Sequence, residues 1–202
     1  MEDGGAPRER ARRIRLVDGR VATLRLIRPD DREAFLRFHA GLSDESRYLR
    51  YFTARRKLPK SEVRHYTEVD QRDHGGIGAW LDGALVGHAL YDRLADPAEA
   101  EVALEVADAC QGLGIGTAML EALARLARHA GIRRFVGHVL PTNQRMLQVF
   151  RDLGFGEHAG FEEGVVRVAL ALEATPGYAR ARRARVARAR AARRSPGRRA
   201  PS

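Results

Sequence analysis

The sequence predicts a mixed α/β domain built on a largely antiparallel sheet flanked by helices. Three observations carry that reading. Strand-like runs flank Asp18-Gly19 and again Asp82-Gly83, and such dipeptides favour the backbone that reverses a strand. Strand and helix patterns then alternate from Glu99 to Leu153, and a last strand pair closes around Glu162-Glu163-Gly164. The order is not a regular βαβ repeat, and no internal repeat is evident. A length of 202 residues fits one domain with a substantial core.

Residues 1–12 are polar and arginine-rich, an arm expected to be disordered. The domain is expected over 13–173. From Arg13 to Arg28 the pattern is strand-like on both sides of the turn, and Pro29 ends the second strand. Asp30 reads as a helix N-cap with Glu33 as its capping-box partner. Phe35, Leu36, Phe38, His39 and Leu42 recur at helical spacing, which predicts a helix over 31–41. Ser43 opens a second short helix ending at Phe52. Its aromatics, Tyr48, Tyr51 and Phe52, fit either a cleft lining or half-buried packing, and packing is the expectation. A third helix is expected over 60–69, where Val63, Tyr66 and Val69 stand three apart.

Gly75-Gly76 reads as the turn before strands 76–82 and 84–91. Residues 99–107 set Glu99, Glu101, Ala103 and Glu105 against Val102, Leu104 and Val106, the period of two that a strand imposes. A helix over 116–130 carries Met119, Ala122, Leu123, Leu126 and Ala130 on one stripe, and Gly131 caps it. Strand 132–140 follows, then Pro141-Thr142-Asn143. The next helix bears Met146, Leu147, Phe150 and Leu153 and ends at Gly154. A hairpin of 155–161 and 165–172 completes the domain.

Charge is unevenly spread. Ten of the 36 basic residues and none of the 26 acidic ones lie in residues 176–202, so residues 1–175 are formally neutral. A nucleic-acid function for the domain does not follow from its net charge. The basic tail, 174–202, is expected to be disordered and suits non-specific contact with polyanions, though a solubilising tail is an equal reading. A single cysteine, Cys110, excludes an internal disulfide, and its expected role is passive packing. No apolar run reaches the length of a membrane span, and no N-terminal signal region is seen. The expected setting is cytoplasmic, with no membrane partner. The seven histidines show no metal-ligand spacing, so no metal is expected.

The stretch that carries chemistry runs from Val106 to Thr117. Gln111 precedes three glycines at two-residue spacing, Gly112, Gly114 and Gly116, between a strand and a long helix. Such a turn can aim several backbone N–H groups at one point, and the helix start adds its own unpaired N–H groups and positive dipole end. Together they suit a diphosphate. A dinucleotide fingerprint would need glycine at Thr117 or Met119, and a phosphate-binding Walker loop would need a lysine that is absent. A plain tight turn is the alternative reading of the glycines.

Gln111-Gly112-Leu113-Gly114-Ile115-Gly116 after a strand resembles the acetyl-CoA loop of the GNAT N-acetyltransferases. Asn143, opening a helix that ends Phe150-Arg151-Asp152-Leu153-Gly154-Phe155, resembles a second family segment. The front half, with Leu42 to Phe52 and Glu68-Val69-Asp70, is similar to the acetyltransferase domain of bacterial protein-lysine acetyltransferases that control acyl-CoA synthetases. The resemblance covers about residues 13–173 and implies a sheet with a splayed central strand pair. It implies acetyl-CoA as cosubstrate and an amine as acceptor, a protein lysine or a small amine. Leu104 and Val106 would offer backbone to the pantetheine arm. Gln111, Gly112, Leu113, Gly114, Ile115, Gly116 and Thr117 would hold the diphosphate, and Asn143 and Phe150 would border the thioester. Asn143 is also read as a simple helix cap, and Phe150 as core.

The resemblance places the general base at Glu101, ten residues before Gln111, with Glu105 as runner-up on the same nominal face. Many relatives carry a tyrosine that protonates the leaving thiolate; Phe150 stands there and cannot donate. The proton then comes from water or from the reacting ammonium. Relatives often carry a fused regulatory domain, for which this chain is too short, so regulation by cyclic AMP is not expected. A non-catalytic acyl-CoA sensor, or a module that associates with nucleic acid through its tail, is the alternative of a different class.

Overall fold

The computed structural model describes residues 11–53, 55–153, 157–162 and 164–172. The expected arm before residue 11, the helix stop at Gly154 and the basic tail lie outside the described residues. The first hairpin joins β1, Arg12–Arg15, to β2, Val21–Leu26. Gly19 adopts a left-handed φ of 90° in its loop, and the Asp18 carboxylate accepts from the backbone N–H of Arg20 at 3.1 Å. Three helices follow: α1 Arg32–Ala40, α2 Asp44–Tyr51 and α3 Lys60–Thr67. Then come β3 His74–Leu81, β4 Ala84–Arg93 and β5 Glu99–Val106. The second half comprises α4 Ile115–His129, β6 Arg134–Val139, α5 Gln144–Leu153, β7 Glu157–Glu162 and β8 Val165–Ala171.

All eight strands form one sheet in the order β1-β2-β3-β4-β5-β6-β8-β7. Every neighbouring pair is antiparallel except β5 and β6, which run parallel. The fold is the mixed, largely antiparallel α/β sheet that the sequence predicts. The two faces are covered by different helices. On one face α4 lays Met119, Leu120, Leu123 and Leu126, all essentially buried, across Ile77, Ala89, Val102 and Leu104. On the other, Phe35 and Phe38 of α1 and Val63 of α3 pack with Ile27 and Leu85. Each fully buried aliphatic or aromatic side chain of this kind contributes on the order of 1.5–3 kcal/mol.

Two local expectations are corrected. Asp30 is not the helix cap: a 3-10 turn, Pro29–Asp31, intervenes, and α1 starts after Asp31. Asp31 is buried and accepts two hydrogen bonds from the Arg25 guanidinium, each 2.7 Å, plus one from the Arg28 N–H. A bidentate, charge-assisted pair outcompetes an exposed capping box. Glu33 instead faces solvent near Arg37 at 3.5 Å. Nor is Gly75-Gly76 a turn. Both residues lie inside β3, where Gly75 pairs with Tyr91 of β4. The Tyr91 ring occupies the space beside Gly75, and a Cβ there would stand 2.4 Å from a ring carbon. Glycine permits that contact, and the turn signal came from a packing requirement.

The expected turn at Asp82-Gly83 is present, with φ of 50° and 80°, the two left-handed residues of a tight hairpin. Gly131 ends α4 at φ 82°, while the Ile132 N–H reaches back to the Ala127 carbonyl at 3.0 Å. No helix among the described residues is long and apolar enough to cross a membrane.

The glycine under Tyr91 yields the first prediction. Gly75→Ala should lower stability by about 1–3 kcal/mol, the usual cost of overpacking a filled site. Urea unfolding followed by circular dichroism measures it, and an unchanged midpoint would contradict the ring-on-glycine contact.

Candidate active site

The parallel pairing of β5 with β6 is short. It runs from Glu99 opposite Arg134 to Glu101 opposite Val136 and then stops. Past that point β5 stays paired with β4 as far as Val106, and β6 with β8 as far as Val139. The outer edges are held while the inner edges part, so the splayed central pair is present. Backbone groups facing such a gap require partners, which a ligand with amides of its own can supply.

The gap opens into a cavity of about 690 Å³. Its walls are residues 101–106 of β5, residues 137–139 of β6, the glycine loop, and α5. Glycine at 137 matters here: the Phe150 ring lies against it, and a Cβ would come 3.2 Å from the ring. Phe150 is 3% exposed and lines the cavity, so the core and border readings both hold for it. Asn143 likewise does both, lining the cavity while its Oδ1 accepts the Met146 N–H at 3.1 Å as a cap of α5.

The glycine loop forms the mouth. Gly112 and Gly114 have φ of 74° and 86°, and nothing lies within 4 Å of where a Cβ would stand on either. The first hydrogen bond into α4 is the Ala118 N–H to the Gly114 carbonyl, 3.1 Å. The N–H groups of the preceding turn therefore point out of the helix start. Gly116 meets Leu104 instead, at 3.3 Å from a would-be Cβ, so its small size serves the seating of α4 on β5. Of the loop residues expected to hold a ligand, Gln111, Gly112, Gly114, Ile115, Gly116 and Thr117 line the cavity together with Leu104 and Val106. The Leu113 side chain packs on the core, and its carbonyl accepts the Val17 N–H at 3.3 Å.

Asp108 fixes the loop to α2. Its carboxylate accepts from Ser43 Oγ and Ser46 Oγ at 2.7 Å each and from the Ser43 N–H at 2.9 Å. Burial works against its charge, but the serine hydrogen bonds outweigh that and hold its pKa below the ordinary value. Gln111 Nε2 donates to Ser46 Oγ at 3.1 Å and to the Val106 carbonyl at 3.2 Å. Arg145 donates to Gln111 Oε1, which brings a guanidinium to the mouth. The sequence reading missed Arg145, but a signal exists. A basic residue in the first turn of a helix, here α5, opposes the dipole, and a nearby anion would offset that cost.

The two candidate glutamates occupy contrasting settings. Glu101 stands where the strands part. Its side chain is 51% exposed, lines the cavity, and meets His138 Nδ1 at 3.1 Å across the fork. His138 was also missed, because only the β5–β6 register brings it there. Glu105 lies under α2, 6% exposed, accepting the Tyr51 hydroxyl at 3.0 Å. Burial pushes its pKa up, partly offset by Arg50 and by that hydrogen bond. Burial raises the Tyr51 phenol too. His88, 3.7 Å away, is held neutral by burial with its pKa near 3, its Nε2–H donating to the Tyr66 carbonyl at 2.9 Å. Tyr51 thus turns inward as packing predicts, whereas Phe52 lines the cavity.

The description "Acetyltransferase (GNAT) family" belongs to the family model that matches residues 42–155. Over 145 residues the chain is 35% identical to Acetyltransferase Pat of Mycolicibacterium smegmatis, covering 70% of this chain and 43% of that one. Over 89 residues it is 30% identical to "Putative phosphinothricin acetyltransferase YwnH" of Bacillus subtilis, covering 44% and 52%. The chain thus spans about half the length of these two relatives. The crystal structure of the GNAT domain of S. lividans PAT matches with a TM-score of 0.77 at 39% identity, over 82% of this chain and 98% of that one. The structure of yncA from Salmonella typhimurium, with its cofactor acetyl-CoA, matches with a TM-score of 0.61 over 77% and 96%; at 18% identity that likeness is one of fold.

The setting of Glu105 generates a pH prediction. A carboxyl whose folded pKa lies above its unfolded value leaves the folded state unpenalised at low pH. It costs stability progressively as pH rises above the unfolded value near 4.5. Glu105→Gln can still accept the Tyr51 hydroxyl and carries no charge. The variant should therefore gain on the wild type in urea midpoint between pH 4 and pH 8, a pH-independent difference being the contrary result.

Proposed function

The chain belongs to the GNAT acetyltransferase family, and from that premise we propose that it binds acetyl-CoA between β5 and β6 and transfers the acetyl group directly to the lysine amine of a protein. The observation that carries this reading is the parting of the two strands after Glu101 and Val136, with the glycine loop at one end of the gap and Glu101 at the other. Five residues separate Val106 from Glu101, a span of about 17 Å at the usual strand rise. That is room for an extended pantetheine arm, whose two amides suit the free edge of β5 at Leu104 and Val106. The diphosphate then falls at the N–H groups of residues 112–117, near Arg145, and the thioester at the closed end.

An acceptor ammonium with a reference pKa near 10.4 is free amine in only about one molecule in 2,500 at pH 7. In the proposed mechanism Glu101 takes its proton, the nitrogen attacks the thioester carbonyl, and the carbon–sulfur bond breaks to release the thiolate. His138 beside Glu101 keeps the abstracted proton within the site, where it can return to the thiolate that Phe150 cannot protonate. Both glutamates line the cavity, but Glu101 is the better base on geometry, being half open to solvent and acceptor, whereas Glu105 is 6% exposed beneath α2. The half-exposed position of Glu101 also suits a side chain presented by a protein. A small-amine acceptor is the second reading, favoured by the relative named for phosphinothricin.

Two measurements test this. Glu101→Gln should bind acetyl-CoA as the wild type does while the transfer rate falls on the order of 10²–10⁴-fold, and the deficit should shrink as pH rises toward the amine's own pKa. A deficit that persists at high pH, or a dead Glu105→Gln beside an active Glu101→Gln, would move the base elsewhere. Gly114→Asn tests the mouth. Asparagine tolerates the left-handed backbone that glycine holds there, yet places a side chain in the space where N–H groups meet phosphate. Acetyl-CoA affinity by calorimetry should fall by at least about tenfold, or about 1.4 kcal/mol, with little change in melting temperature. Unchanged affinity would refute the phosphate assignment.

A further inference from the structure

Beside the cavity, on the same face as Glu101, three side chains converge that the proposed reaction does not use. His65 comes from α3, His74 from the start of β3, and Asp92 from β4. His65 Nε2 lies 3.1 Å from Asp92 Oδ2, and His74 Nε2 lies 3.5 Å from Asp92 Oδ1. One potential ligand atom from each residue falls within 4.8 Å of the others. We propose that His65, His74 and Asp92 form a binding site for a divalent transition-metal ion of the zinc class.

The distances fit. Ligand bonds of about 2.0–2.1 Å arranged tetrahedrally put neighbouring ligand atoms about 3.3–3.4 Å apart, and each imidazole nitrogen here lies 3.1 or 3.5 Å from a different oxygen of the one carboxylate. Two imidazoles and a carboxylate are a borderline-soft set, which favours zinc, cobalt or iron over magnesium or calcium. His74 Nε2 is buried and makes no hydrogen bond, so a polar atom aimed into the cluster lacks a partner that an ion would supply. The two rings stack at 4.2 Å with a 17° tilt. A neutral imidazole carries one in-plane nitrogen lone pair that can ligate a metal. Convergence of those lone pairs requires one ring to turn. His65, 46% exposed, has more room for that turn than His74 at 16%. Exposure at His65 and Asp92 leaves the remaining coordination position to water.

The arrangement is built by the fold rather than by a sequence motif. His74 and Asp92 are cross-strand partners in the β3–β4 register, and α3 packs its last turn over them. Asp92 in turn is the register partner of Glu101 on β5. An ion held at Asp92 would therefore sit one strand from the proposed base, without sharing a ligand with it.

The test is calorimetric titration of the full chain with zinc chloride, paired with cobalt chloride as a spectroscopic probe. The expected result is one equivalent bound, with visible ligand-field absorption from cobalt and displacement of cobalt by zinc. Asp92→Asn, which keeps the side chain's shape, and His65→Gln, at an exposed position, should each weaken zinc binding by more than about tenfold, since even outer-shell losses cost that much. His129→Gln, on the exposed end of α4, should bind as the wild type does. Imidazole resonances of His65 and His74 should shift on zinc addition in the wild-type protein, a readout that needs no variant. Absence of an equivalent of bound zinc, or equal affinity in the Asp92 and His65 variants, would overturn the site and leave a plain histidine–aspartate ion pair.

Discussion

Everything about the candidate site depends on where β5 and β6 stop pairing. A sheet interior normally leaves no strand edge unpaired, because each buried N–H and C=O without a partner costs free energy. Here two adjacent strands separate after Glu101 and Val136. The gap persists because each strand is held from outside, β5 by β4 and β6 by β8. Inside the gap the Phe150 ring lies against Gly137, where a Cβ would come 3.2 Å from it. A larger residue at 137 would therefore press on a side chain that lines the cavity.

The mouth is positioned by a chain of polar contacts rather than by apolar packing. Ser43 caps α2, Asp108 accepts from that cap, and Gln111 is tied through Ser46 to the same cluster. The charge on Asp108 is sustained against burial by its serine donors. Asp108 is itself exposed, so solvent screens part of what these charge-assisted bonds contribute. It couples α2, which covers one side of β5, to the loop at the end of β5.

Much of this was legible in the sequence. The glycine loop, the period-two strand leading into it, and the long amphipathic helix after it are local signals, and each element stands within a residue or two of its expected place. What failed was also local in origin. Asp30 had the chemistry of a cap, but the cap competes with a buried Arg25–Asp31 pair set by tertiary contact. Gly75-Gly76 had the composition of a turn, but Tyr91, on the next strand, needed the space. His138 and the His65–His74–Asp92 cluster stayed invisible for a related reason. Their meaning comes from strand register, and register is decided by pairings many residues apart.

Register also separates the two glutamates that the sequence could rank only by resemblance. They share a face of β5, four residues apart, yet α2 covers one and ends before the other. Covering Glu105 removes it from water and raises its pKa, partly offset by Arg50 and by the hydrogen bond it accepts from Tyr51. That hydrogen bond ties the carboxyl to α2. Leaving Glu101 half open, with His138 across the fork, keeps a carboxylate in contact with both the cavity and the surface from which an acceptor must arrive. A base for this chemistry must meet two reactants that come from opposite sides, the thioester along the strands and the amine from solvent. Both glutamates line the cavity, and of the two it is Glu101 that is also half open to solvent, the property on which the proposed assignment of the base rests.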